Sequence, residues 1–148
     1  MKNLFSVIFI VVLFTVVGCG GGGSGGSSAA AQFIGRFFVE VSETSDPCGI
    51  ESSPNHSFLH DVNQDGDLIA LTSGEIHYSG QVNAAQTGFT VNATVATSGN
   101  CTSTLSTTYS PPSGDNIFDV VNTTAIDCGR GVCTVTYSGE ANYFGGNP

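Results

Sequence analysis

Apolar and polar positions alternate along most of this chain. In the run from Glu75 to Val82, Ile76, Tyr78 and Val82 fall on one side and polar groups on the other. Phe89, Val91, Ala93 and Val95 alternate with Thr90, Asn92 and Thr94, and Cys133, Val135 and Tyr137 alternate with Thr134 and Thr136. Successive strand side chains point to opposite faces, so a period of two describes strands with one buried and one wet face, as in antiparallel sheets. No window of helical length carries an apolar stripe at 3.6-residue spacing. Strands are predicted near 32–42, 57–63, 67–72, 75–83, 87–97, 101–109, 116–127 and 132–139, about eight in all by the usual strand criteria.

Turn signals separate these runs: Asp65-Gly66, Ser73-Gly74, Ala84-Ala85, Ser98-Gly99-Asn100, Pro111-Pro112-Ser113-Gly114 and Gly129-Arg130-Gly131. Connections this short join sequential neighbours as hairpins, which makes an antiparallel meander. The expected fold is all-β. A small barrel is favoured over a two-sheet sandwich, because closure removes the exposed edge strands.

The N-terminus has a different pattern. After Met1-Lys2-Asn3, residues Leu4 to Val17 carry no charge. A spanning helix needs about 20 apolar residues, so this shorter run fits the hydrophobic region of a signal peptide. Val16-Val17-Gly18-Cys19 resembles the lipobox of bacterial lipoproteins. That resemblance implies cleavage before Cys19, a diacylglycerol on its sulfur and an acyl chain on its new amino group. It also implies a cell-envelope protein held to a membrane through the lipid on Cys19, with the outer membrane favoured because Gly20, not Asp, follows the cysteine. The sequence then divides into a signal peptide (1–18), a lipidated cysteine with a Gly/Ser/Ala-rich tether (19–31) and one all-β domain (32–148). The tether, mostly GGGGSGGSS, behaves as a random coil with a root-mean-square span of about 17 Å over ~10 residues.

Charge narrows the possible partners. The only lysine, Lys2, leaves with the signal peptide, so Arg36 and Arg130 stand against twelve acids; two minus twelve gives −10 with His neutral. No basic stripe is available for a phosphate backbone, which excludes a nucleic-acid partner. Four cysteines remain in the domain, Cys48, Cys101, Cys128 and Cys133. An even number in an exported domain reads as two disulfides. The spacing within the Gly-rich segment 128–133 favours Cys128–Cys133, with Cys48–Cys101 as the second pair.

Candidate chemistry is sparse. Asp61, Asn63, Asp65 and Asp67 stand at the first alternate positions of a calcium loop of the EF-hand type, with Gly66 at the sharp turn, although Thr72 occupies the place of the closing bidentate acid. The competing reading is a hairpin with its turn at Asp65-Gly66. His56, His60 and His77 are accounted for as exposed polar positions. No nucleophile, base and orienting group come together in the pattern, so a non-enzymatic protein without a cofactor, calcium apart, is expected. The sequence puts a structural or interaction module of the cell envelope first. The alternative is a barrel holding a small apolar ligand, with Phe37, Phe58, Tyr78, Phe89, Phe118 and Tyr137 as lining residues. Gly35-Arg36-Phe37 resembles the Gly-x-Trp that opens the first strand of lipocalins, with Phe in place of Trp, and implies the barrel architecture alone.

Overall fold

The computed structural model describes residues 32–145, apart from 51–52, 98–100 and 115. The signal peptide, Cys19 and the tether lie outside the described residues. Eight strands follow one another: β1 (Gly35–Ser45), β2 (Asn55–Asp65), β3 (Leu68–Ser73), β4 (Ile76–Val82), β5 (Phe89–Ala96), β6 (Thr102–Gly114), β7 (Ile117–Asp127) and β8 (Val132–Gly145). Each pairs antiparallel with its neighbours in sequence. β1 also pairs with β8 from Arg36↔Gly145 to Ser45↔Thr136, so the meander closes into a barrel.

The period-two pattern becomes an inside and an outside. Phe37, Val39 and Val41 of β1 are buried, while Arg36, Glu40 and Ser42 between them are exposed. The same division places Val62, Ile69, Leu71, Val91, Val120, Val135 and Ala141 in the lumen. Outward positions carry Asn63, Gln81, Thr90, Asn92, Thr94 and Asp119, all exposed. A barrel wall facing lipid would show an apolar band outward, the reverse of this arrangement.

Local chemistry sets the turns. Asp65 pairs with Leu68 and Ser73 with Ile76, which leaves two-residue loops, Gly66-Asp67 and Gly74-Glu75. The first residue of each is a glycine at φ 60°. That conformation fits hairpin turns with Gly in the first central position. The expected turn at Pro111–Gly114 falls elsewhere. β6 runs through this segment with register shifts on either side of Pro112; Gly114 then pairs with Ile117, and Asn116 before β7 takes φ 63°. Proline lacks the ladder donor and is accommodated at such irregularities.

The disulfides are Cys48–Cys133 and Cys101–Cys128. This corrects the expected pairing. Asp127 opposes Val132, so Cys133 lies one residue inside β8 opposite Ile126, and Cys128 lies beyond the ladder in the loop. Closeness in sequence therefore does not make the two sulfurs face each other. Thr102 opposes Asp127, and extending that register by one residue sets Cys101 opposite Cys128.

Two glycines mark where strands approach most closely. A Cβ on Gly139 would collide with the carbonyl oxygen of Glu40 on β1, and one on Gly80 with that of Thr90 on β5. These obstacles are backbone, which cannot swing away as a side chain can. Gly139→Ala is therefore expected to push β8 off β1 and lower stability by about 2 kcal/mol or more, the upper range for overpacking. A urea midpoint that falls with an unchanged slope checks this, and an unaltered midpoint contradicts it.

Candidate functional site

The two ends of the barrel are built differently. At one end lie the start of β1, the turn 66–67, the start of β7 and the segment 83–88. Phe33, just before β1, is buried there, with its backbone N–H donating to Gln64 Oε1 at 2.8 Å. Its ring meets Phe89 edge-on at 5.2 Å and Phe118 at 5.8 Å. Phe37 packs edge-on against Tyr109 (5.6 Å) and Phe118 (5.8 Å), and Phe89 stacks on Tyr109 at 4.5 Å. Edge-to-face and offset pairs at these separations add stability beyond burial. They form an aromatic plug that fills this half of the lumen.

The other end carries the end of β1, the starts of β2, β6 and β8, the segment 128–131, and both disulfides. Here the lumen opens into a cavity of about 680 Å³. Its inward-facing walls include His56, Phe58 and His60 from β2, Ile76 and Tyr78 from β4, Leu105 and Thr107 from β6, Asn122 and Thr124 from β7, and Tyr137 from β8. The His56, Phe58 and His60 rings stand in near-parallel sequence, with centroids 5.8 and 5.9 Å apart.

Between plug and cavity lies one polar contact. His60 Nδ1 and the Tyr109 hydroxyl are 2.9 Å apart, a hydrogen bond that joins β2 to β6 across the lumen. His60 is only 2% exposed. Burial opposes the imidazolium and holds the pKa of His60 down to about 4, so the ring is neutral at pH 7. Burial also pushes the hydroxyl pKa values of Tyr109 and Tyr78 upward, and both phenols stay neutral.

Of the ligand-lining residues expected from sequence, the structure brings Phe58, Tyr78 and Tyr137 to the cavity and assigns Phe37, Phe89 and Phe118 to the plug side of the core. His60 corrects the expectation of three exposed histidines. His56 is half-buried, and only His77 is exposed. Sequence reading passed over His60, Thr107 and Asn122. The signal for His60 was present in β2, where His56, Phe58, His60 and Val62 share one alternation.

The calcium candidates do not share a loop. Asp61, Asn63 and Asp65 lie on alternate positions of extended β2, and Asp67 follows in the two-residue turn. Asp61 accepts from Arg36 Nε at 2.6 Å and Nη2 at 3.1 Å. This hydrogen bond, with the charge of Arg36, holds the Asp61 pKa below its ordinary value. Asp67 accepts from Gln86 Nε2 at 3.1 Å. Among the described residues, no three His, Cys, Asp or Glu side chains are placed to hold a metal ion.

Comparison with protein-family models, curated proteins and solved structures finds no match for this chain.

The buried imidazole makes stability depend on pH. Above about pH 6.5 neither the unfolded nor the folded ring is charged. As pH falls toward 4, the unfolded ring binds a proton that the folded ring resists, so stability is lost across that window and the loss levels off below it. The difference corresponds to about 3 kcal/mol. Urea midpoints of the wild type and His60→Phe between pH 7.5 and 4 test this; parallel profiles would contradict it.

Proposed function

We propose that this chain is a lipid-anchored cell-envelope protein whose barrel holds a small, largely apolar ligand. The supporting observation is the cavity at the disulfide-bearing end. Small-molecule sites commonly occupy ~300–1,000 Å³ and are lined mainly by apolar and aromatic groups with a few polar ones. The 680 Å³ cavity falls in that range, and Phe58, Ile76, Tyr78, Leu105 and Tyr137 provide most of its apolar wall. A filled lumen would have removed this reading. This moves the ligand-binding alternative ahead of the structural or interaction module that sequence put first.

The interaction reading retains one observation of its own. Phe38 and Leu59 oppose each other directly on the outer wall of β1 and β2, 36% and 49% exposed. Both also stand among the residues lining the cavity, so a partner covering that pair would engage the barrel wall at the cavity's edge. Neither reading assigns catalysis to the site.

Anchorage rests on the lipobox at Val16–Cys19 and the uncharged run before it. Several acyl chains on one residue hold firmly, since each buried CH₂ contributes about 0.8 kcal/mol. The full chain expressed in a Gram-negative host is expected in the membrane fraction, favouring the outer membrane, and Cys19→Ala is expected in the soluble fraction. Equal partitioning of the two would remove the anchor.

N-phenyl-1-naphthylamine, a neutral fluorophore that brightens in apolar surroundings, tests the cavity. Saturable brightening is expected with the wild-type protein, and Leu105→Trp, which fills the lumen, is expected to weaken it at least tenfold. A wild-type protein that leaves the probe dark overturns the ligand reading. Brightening untouched by Leu105→Trp but lost with Phe38→Ser/Leu59→Ser would assign it to the outer wall.

A further inference from the structure

The cavity is graded in depth. β2 and β6 both run from the mouth toward the plug, so His60 lies deeper than Phe58, and Thr107 deeper than Leu105. β7 runs the other way, which sets Asn122 deeper than Thr124. Thr107 and Asn122 are register partners on adjacent strands. The floor therefore gathers the hydroxyl of Thr107, the amide of Asn122 and the imidazole of His60, while Phe58, Ile76 and Leu105 stand nearer the mouth.

None of the described lining residues is Asp, Glu, Lys or Arg. Placing an ion on this floor would strand it without a counter-charge, which costs far more than burying a neutral polar group. Glu43 is the register partner of Tyr137, a lining residue, and the chain as a whole is acidic, both unfavourable for an anion. Arg36 is occupied by Asp61 on the outer wall. Arg130 is exposed in the loop 128–131 and does not line the cavity.

The floor also offers polar atoms. Asn122 Oδ1 is buried without a hydrogen-bond partner among the described residues. Rotation about χ2, a broad torsion in Asn, turns the amide between its oxygen and nitrogen faces. With His60 Nδ1 engaged by Tyr109, Nε2 is the remaining polar atom of the ring. A neutral imidazole presents Nε2 as a donor when Tyr109 donates to Nδ1, and as an acceptor when it accepts. A hydroxyl, both donor and acceptor, suits either state.

We propose, resting on the ligand-binding reading above, that the cavity selects an uncharged amphiphile that enters polar end first. Its hydroxyl reaches the His60–Thr107–Asn122 floor and its apolar body faces the mouth. The ligand class is a long-chain or ring-bearing alcohol, as opposed to a fatty carboxylate whose head group stays at the mouth.

Displacement of bound N-phenyl-1-naphthylamine by 1-dodecanol, dodecanoate and dodecane at pH 7.5 tests this. Dodecanol is expected to displace the probe at concentrations about tenfold lower than either of the others, the worth of one neutral hydrogen bond. Thr107→Val and Asn122→Leu, which do not touch the Tyr109–His60 contact, are expected to erase the advantage over dodecane, with each variant's own probe affinity measured first and the displacement referred to it. Dodecanol is also expected to shift the His60 ¹⁵N imidazole resonances, and dodecane to leave them in place. Dodecanoate displacing as well as dodecanol, with the preference lost in Arg130→Ala, overturns the proposal in favour of a head group at the mouth. Equal displacement by dodecanol and dodecane overturns it in favour of unselective apolar binding. A probe that never binds overturns the ligand reading itself, so the two failures are distinguishable.

Discussion

The ladder between β1 and β8 is the contact on which the rest depends. Each of the other seven pairings joins strands that follow one another in sequence and forms from a local hairpin. The β1–β8 ladder joins the two ends of the domain, and it closes the lumen and removes both sheet edges. Gly139 lets the backbone of β8 come against the carbonyl of Glu40 within it. A side chain there would strain the closure of the ring.

Within the closed ring, stability has two sources at two poles. The plug end buries Phe33, Phe37, Phe89 and Tyr109 in mutual contact. The cavity end has no such filling, and its loops would fray by the usual logic of weakly packed segments. Both disulfides lie there. They close sequence separations of 85 and 27 residues. In the chain-entropy model these are worth about 4.5 and 3.5 kcal/mol. Covalent staples thus stand where core packing gives way to the cavity.

Much of the fold was legible because strand alternation and turn chemistry are local. The strands from β3 to β5 and β7 lie within a few residues of their expected positions, and Gly66 and Gly74 mark their hairpins directly. The failures were not local. Whether Cys128 faces Cys133 or Cys101 is decided by register across β6, β7 and β8. Pro111 and Pro112 read as a turn because their signal is strong, yet a strand with shifted register tolerates them. Asp61, Asn63 and Asp65, which also have calcium-loop spacing, lie along one face of β2, and the hairpin at Asp65-Gly66, the competing reading of that segment, is the one the fold forms. The cavity was illegible for a further reason. Whether inward side chains fill a barrel depends on summed volumes around the ring, and the shift from Phe and Tyr at one end to Thr, Asn and Leu toward the other appears only when eight strands are read at a common height. His60 was hidden by its residue type, since a histidine between Leu59 and Asp61 looks wet until β2 is placed in the ring.

Phe33 fixes more than the plug. It is buried at the closed pole, so the described chain enters the barrel there. An eleven-residue strand at 3.3 Å per residue, tilted near 40°, gives a barrel height of about 28 Å. For a domain leashed through its N-terminus, the opening is therefore the pole farthest from the leash. If the chain is anchored through Cys19 as proposed, the cavity would open away from the membrane that holds it.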